Sequence, residues 1–391
     1  MAAFSVIYLL FLSARAIFNP FVTVYLQESG LSPEKIGIVT GANSLVIVLS
    51  QPFWGIVSDK LGSVKKTLVF CMVFQAVFSL TLIYCSGFLP VAACFCLYGF
   101  FSSPEGPLLD TWSLKSLKEV GKEEAVGQLK LWGCLGYAVC SVVSGLVICQ
   151  YSTKAILPVF SMVLIAIGLL LSRVRTGAGV PNAMPLKELN LKSIFLDKRF
   201  LLFLAFIFFG QLPHRAAYTF YPLLITQLGG SKDMVGYTSA VMFVSEGIFL
   251  FLSRKLLTRW KPLTIVLCSS VFFVIWQFLY SIVAEPWQVA AIAVLDGPSY
   301  ALFTIGTLYY LDVLAPPNIR ATYQTIAYAV YFGLSGIVGN SVAGWVIETF
   351  GYRTMYYVGM AVLVVATALF MLAEQYCEKG WRKNENTGAL R

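Results

Sequence analysis

The sequence predicts an all-α integral membrane protein, with twelve transmembrane helices in two pseudo-symmetric six-helix bundles. Three observations carry that expectation. The 391-residue chain is 58% hydrophobic and only 12% charged, with a mean hydropathy of +0.77. Soluble domains carry about 25% charged residues, so this chain lacks the polar surface that water demands. Its apolar residues fall in runs of the ~20 needed to cross the ~30 Å hydrocarbon layer. Its cations crowd every second loop between those runs.

The runs, in order, are 4–26, 36–58, 66–86, 89–112, 128–150 and 153–173, then 200–227, 235–253, 262–284, 287–312, 321–346 and 351–374. The first resembles a secretory leader. It has no basic start, however, contains Arg15, and continues to about Leu26, so it reads as a span that is kept. The more polar stretch 174–198 divides the runs six and six. The expected organisation is a first bundle at 1–173, a cytoplasmic linker at 174–198, and a second bundle with a short tail at 199–391.

Charge placement tests this map. With the N-terminus cytoplasmic, the inner loops and tail carry 21 of the 28 cations, among them Lys60, Lys115, Lys187, Arg199, Arg259 and Lys383. The outer loops carry only Lys35, Lys154, Lys232 and Arg353. Cytoplasmic loops hold the excess of Lys and Arg, so both termini are expected in the cytoplasm of a cell-membrane protein. An odd number of spans would destroy the alternation. The net charge of +9 is thereby absorbed by topology. Membrane lipid is an expected partner and nucleic acid is not. The nine cysteines lie almost all inside apolar runs and read as small buried hydrophobes. A monomer without cofactor or metal is expected.

The loop after the second span reads Gly55-Ile-Val-Ser-Asp59-Lys60-Leu-Gly62-Ser-Val-Lys65-Lys66. A helix ending at Asp59 and a turn at Gly62 would crowd a carboxylate and several cations at one cytoplasmic corner. The loop after the eighth span, LSRKLLTRWKPLTIV, keeps the basic residues without the Asp or the Gly pair. The first loop resembles the signature of the major facilitator superfamily, in the place where that family carries it. The resemblance implies a gate: a charge cluster that ties the halves together when the transporter opens outward and parts when it opens inward. Further segments, SLVIVLSQPFWGIVSDKLG, GPLLDTW and VGQLKLWGCLGYA, resemble the lactose permease branch of proton symporters for oligosaccharides, nucleosides and phenylpropionate. HRAAY in span 7 and SEGIF in span 8 lean toward the phenylpropionate type.

Ionisable groups at membrane depth cost several kcal/mol and mark pathways or proton relays. Arg15 lies about 11 residues from either end of its span, ~16 Å by helix rise. That is too far to snorkel, so it must meet an acid or water. His214, the only histidine, stands beside Arg215 in span 7. It is either a satisfied structural residue or a group that exchanges protons near neutral pH. Glu246 lies mid-span 8. Asp296 lies well within span 10, where a carboxyl suits a cycle of proton uptake and release. Asp110 and Lys130 are interface residues by hydropathy alone. The resemblance instead puts them where the lactose branch holds a substrate-binding Glu–Arg pair, with the two-pronged Arg replaced by a Lys point charge. It also sets Tyr137 where that branch stacks a Trp on sugar, Glu246 on a substrate contact, and Asp296 on the span-10 His. The coupling Glu and Arg of the branch are Ser299 and Ile275 here, so its proton network is not inherited intact. Glu105, flanked by Pro104 and Gly106-Pro107, is expected to distort span 4 and need not share a site with Asp110.

The resulting expectation is a secondary transporter, most simply a proton-coupled symporter of a small polar solute, first an aromatic or other organic carboxylate. A sugar, glycoside or nucleoside symporter is the alternative, then a proton-coupled drug exporter, then a transporter-like receptor. There is no P-loop, HExxH or GxSxG for an enzyme.

Overall fold

The computed structural model describes residues 2–118, 126–173, 194, 196–316 and 319–388. Most of the linker assigned to 174–198 lies outside the described residues, with Lys122, Arg175, Lys187, Lys192 and Arg391. Every regular element among the described residues is a helix.

Ten of these helices are single spans: Phe4–Glu28, Pro33–Lys60, Val64–Tyr84, Phe88–Leu117, Leu129–Gln150, Thr153–Arg173, Lys198–Gln227, Lys232–Leu252, Pro262–Ile282 and Pro286–Leu314. The eleventh, Thr322–Tyr376, runs for 55 residues, about 80 Å at helical rise. No ~30 Å bilayer core accommodates that in one crossing. Gly351, at φ 84° and ψ 169°, breaks it at a conformation that glycine reaches without strain. The segment is therefore spans 11 and 12, and the count of twelve stands.

Side chains at the loop ends start several helices. The Ser32 hydroxyl accepts from the Lys35 N–H and the Asp197 carboxylate from those of Arg199 and Phe200. Pro33, Pro262 and Pro286 occupy first turns, where a missing N–H costs nothing. Among the described residues four spans are irregular inside the membrane, one of them span 11, which passes through a wide turn at Ala329–Leu334. Span 1 stops at Phe18 and resumes at Val22 around Pro20. Span 4 stops at Ser102 and resumes at Glu105, the distortion its prolines lead one to expect. Span 10 passes through a tight turn at Ala293–Leu295 and a wide one at Gly297–Ala301. The breaks in spans 1, 4 and 10 each adjoin a charged residue type: Arg15, Glu105 and Asp296.

The two halves pack alike. In the first, span 1 lies on spans 5 and 6, span 4 on spans 2 and 3, and span 3 on span 6. In the second, span 7 lies on the spans 11–12 hairpin, span 10 on spans 8 and 9, and span 9 on span 12. Lipid is as apolar as these side chains, so close packing rather than water drives the association. Small residues allow it. Span 2 meets span 11 with the Gly37 backbone against Asn340 and Gly344, and span 5 meets span 8 with Gly145 against Asp233 and Gly236 against Ser141 and Val142.

These two seams seal one side of the molecule. Lys232 reinforces it, pairing with Glu28 and donating to the Thr153 hydroxyl at 2.9 Å. Shallow recesses of ≈ 460 and ≈ 410 Å³ flank the seal, lined by Gln27, Thr226, Glu348 and Lys232 among others, and neither reaches a mid-membrane ionisable group. On the opposite side, which carries the basic loops, Asp110 and Lys130 are half exposed, so that side is open to solvent as far as this pair. The helix of span 2 ends at Lys60 and Gly62 turns the chain at φ 61°, as the motif requires. Lys65 there donates to the Ser172 carbonyl at 2.9 Å, and Asp59 has no ion-pair partner among the described residues.

Candidate site between the halves

Arg15 sits in the last turn before the span 1 break. Its Nη2 lies 3.8 Å from Glu105 Oε2, and its guanidinium stands 4.8 Å over the Phe11 ring. The Arg15 side chain is 36% exposed and Glu105 only 1%. The span 4 break points Glu105 inward as the first residue of the resumed helix. Gln75, on span 3, lies against the same carboxylate, and the amide orientation that satisfies both of its ends points the NH₂ at the carboxylate oxygens and lets the carbonyl accept from the Tyr98 hydroxyl at 3.3 Å.

In the second half, His214 Nε2 lies 3.3 Å from Asp296 Oδ1, with both residues buried. The ring packs between Phe273, Trp276 and Tyr300 at centroid distances of 4.9, 5.7 and 5.5 Å. Asp296 is presented by the irregular stretch of span 10, where Gly297 allows span 8 to approach at Ser245. That contact brings Glu246, the next residue on span 8, within electrostatic reach of Asp296. Glu246 is half-buried and has no cation within salt-bridge distance among the described residues.

Arg215 differs from the other cations at this depth. It is half-buried on span 7 with its Nε lacking any hydrogen-bond partner. Its guanidinium stands 5.7 Å from the Phe332 ring centroid, and no carboxylate pairs with it among the described residues. Between the two arginines, the Tyr137 and Tyr218 hydroxyls join the halves at 3.3 Å. Tyr137 lies flat on Phe243, centroids 3.4 Å apart and planes 12° apart. The face that a stacked sugar would use is thus covered in this state.

Asp110 and Lys130 do meet, at 3.3 Å, and the Tyr8 hydroxyl donates to Asp110 at 2.5 Å. Tyr8 precedes Arg15 by seven residues, about 10 Å along span 1. The pair therefore lies toward the open side, between the Arg15 level and the entrance. Both side chains are about half exposed, so removing their attraction should cost at most about 1 kcal/mol. A double-mutant cycle of Asp110→Asn and Lys130→Gln in thermal unfolding measures it. A coupling of several kcal/mol would show that the pair is sealed from water.

The structure thus joins His214 with Asp296, sets Glu246 beside them, and joins Asp110 with Lys130. It leaves Arg215 alone and gives Arg15 to Glu105, which sequence reasoning noted for helix distortion but did not place among the site residues. A signal for it existed. Glu105-Gly106-Pro107 in span 4 recurs as Asp296-Gly297-Pro298 in span 10.

Twelve spans in two matching halves, with ionisable side chains held at mid-membrane between them, define a secondary transporter of the major facilitator fold. The chain belongs to the MFS_1 like family, which it matches over residues 1–358. It is 26% identical over 379 residues to the maltose permease of Geobacillus stearothermophilus, covering 96% of this chain and 95% of that protein. It is 24% identical over 377 residues to the probable 3-phenylpropionic acid transporter of Escherichia coli strain K12, covering 93% and 95%. The crystal structure of the nucleoside transporter NupG shares the fold, with a TM-score of 0.84 over 95% of this chain and 98% of that one, at 17% identity.

Proposed function

We propose that this transporter is a monomeric, proton-coupled symporter of a small organic anion, an aromatic carboxylate first, in a cell membrane with both termini cytoplasmic. The observation that carries the reading is Arg215. A guanidinium at membrane depth without a counter-ion is costly, and its planar fork suits a carboxylate. A solute anion supplies the missing charge. Tyr137, Tyr218, Phe243 and Phe332 give the same space aromatic walls, which favours a flat apolar body behind the carboxylate. The likeness to a probable 3-phenylpropionic acid transporter accords with this. The glycine seams form the closed outer gate, and the site faces the cytoplasm.

The His214–Asp296 pair supplies the proton step. A neutral imidazole beside a carboxylate at this depth leaves one negative charge, and a proton on the pair cancels it. Proton and anion together leave the net charge of the site unchanged but cancel its charges locally, the anion against Arg215 and the proton on the pair, which lowers the barrier to rocking the halves around it. A second reading, a neutral sugar or nucleoside, is favoured by Asp110, Lys130 and Glu246, which offer hydroxyls several partners. The likeness to a maltose permease supports it.

The test is proteoliposomes carrying a pH dye, with 3-phenylpropionate, maltose and uridine added in turn and solute-only leak subtracted with empty vesicles. Proton uptake with phenylpropionate alone is expected. Asp296→Asn should lower proton-driven accumulation by on the order of 100-fold, within the range for a positioned proton carrier, yet leave solute exchange at equal pH. Proton movement with maltose or uridine, and none with the acid, would overturn the anion reading.

A further inference from the structure

The two halves carry the same buried device, and only one copy is accounted for by the reading above. Gly30 and Gly229, at φ 89° and 81°, close corresponding hairpins, and Ser32 and Ser231 stand at the starts of spans 2 and 8. Counted back from those serines, Arg15 and His214 occupy the same position. Each pairs with the carboxylate that opens a carboxylate-Gly-Pro triplet on the fourth helix of its own half, Glu105 or Asp296. Arg215 has Ala16 as its counterpart, which explains why it is left over for solute.

The copies differ in one chemical respect. His214 can give up its own proton, whereas an arginine stays charged in proteins. The first pair can therefore change its charge only on Glu105, and Arg15 opposes that protonation for as long as it stays beside the carboxylate. The geometry is poised for its departure. The 3.8 Å separation is an ångström longer than a strong charge-assisted hydrogen bond. The Arg15 Nε has no partner among the described residues, while about a third of its side chain is exposed. Glu105 has no second cation within salt-bridge distance among the described residues. The groups facing it are Arg15 on span 1, Cys71 and Gln75 on span 3, and Tyr98 on its own span.

We propose that Glu105 is a second proton-coupling residue, worked by partner exchange: the solute carboxylate draws Arg15 off Glu105, and Glu105 takes up a proton from the open aqueous side. The bonds balance. One ion pair, Arg15 with Glu105, is replaced by another, Arg15 with solute, and the stranded carboxylate gains one H⁺ because a lone buried charge in an apolar setting is neutralised rather than kept. The solute would then lie between Arg15 and Arg215, one from each half. This rests on the anion reading above.

The experiment is calorimetric binding of 3-phenylpropionate to the full chain in lipid nanodiscs, in two buffers of different ionisation enthalpy, which counts protons taken up. The wild type should take up protons on binding, with affinity falling about tenfold per pH unit for each. Glu105→Gln should still bind, take up one proton fewer, and hold the acid more tightly at high pH, since Arg15 is already free. Undiminished proton uptake in Glu105→Gln would overturn this inference and leave the anion reading intact. No binding by the wild type would overturn both. Glu105→Asp covers the case in which Glu105→Gln does not fold. Adding phenylpropionate should raise a protonated-carboxyl infrared band, and Glu105→Asp should shift its frequency. An unshifted band would overturn the proposal.

Discussion

Replacing Arg215 with Gln is expected to abolish binding of an aromatic carboxylate while making the unliganded protein more stable. The two effects have one cause. An uncompensated buried charge costs about 3–5 kcal/mol, and Arg215 is half-buried without an acidic partner among the described residues. Removing its charge should therefore recover about 1–2 kcal/mol, a fraction of that cost. The same charge, once a carboxylate docks on it, becomes one member of a desolvated pair, and truncating such a member costs about 2–5 kcal/mol of affinity. Affinity should thus fall by on the order of 30- to 5,000-fold. Thermal unfolding with and without 3-phenylpropionate measures both at once. Saturating acid at a hundred times its dissociation constant should stabilise the wild type by about 2.7 kcal/mol and Arg215→Gln by less than about 1 kcal/mol. Arg215→Lys should fall between them, keeping the charge but not the fork. A variant that loses stability along with binding would show that Arg215 is a structural residue, paired in some way its surroundings do not reveal.

Most of the fold was written in hydropathy and charge. Runs of apolar residues set the spans within a few positions, and the alternation of cations set their even number. Even the fused final helix was foreseeable, since Gly351 opens the twelfth apolar run. The site was only partly legible, because pairing partners are chosen by three-dimensional neighbours that no spacing encodes. Arg15 had to meet an acid or water, and that the partner is Glu105 depended on the span 4 break, which turns Glu105 inward and leaves Asp110 on a later stretch toward the entrance. His214 could have been a packing residue until Asp296 was seen 3.3 Å away. The Arg15 and His214 equivalence was present in the sequence, yet at low identity between the halves it becomes visible only once the hairpin glycines and serines fix the register.

Substituting valine for glycine in each of the two seams is expected to force the closed side open and stop transport without removing the site. A side chain at Gly236 would meet the Ser141 carbonyl group and the Val142 Cα at 3.3 Å, and one at Gly37 would meet the Asn340 carbonyl group and the Gly344 Cα at 3.1 Å. Both neighbours are backbone, so neither can swing aside. Overpacking of this kind costs about 1–3 kcal/mol per site, charged only to the state in which the seam is shut. One substitution would shift the balance between closed and open by about 5- to 150-fold, which an active transporter could absorb. Two, in separate seams with no shared partners, should add to about 2–6 kcal/mol, enough to approach the ~5.5 kcal/mol that inverts a 99:1 population. Cross-linking reads this out directly. Cysteines in place of Glu28 and Lys232, which pair across the seal, should join rapidly in the wild-type background and slowly with Gly37→Val and Gly236→Val present. Phenylpropionate binding should survive, because Arg15 and Arg215 lie in other helices. Unchanged cross-linking together with full transport would mean that the seams yield locally, and that the glycines serve packing within this one state rather than the exchange between two.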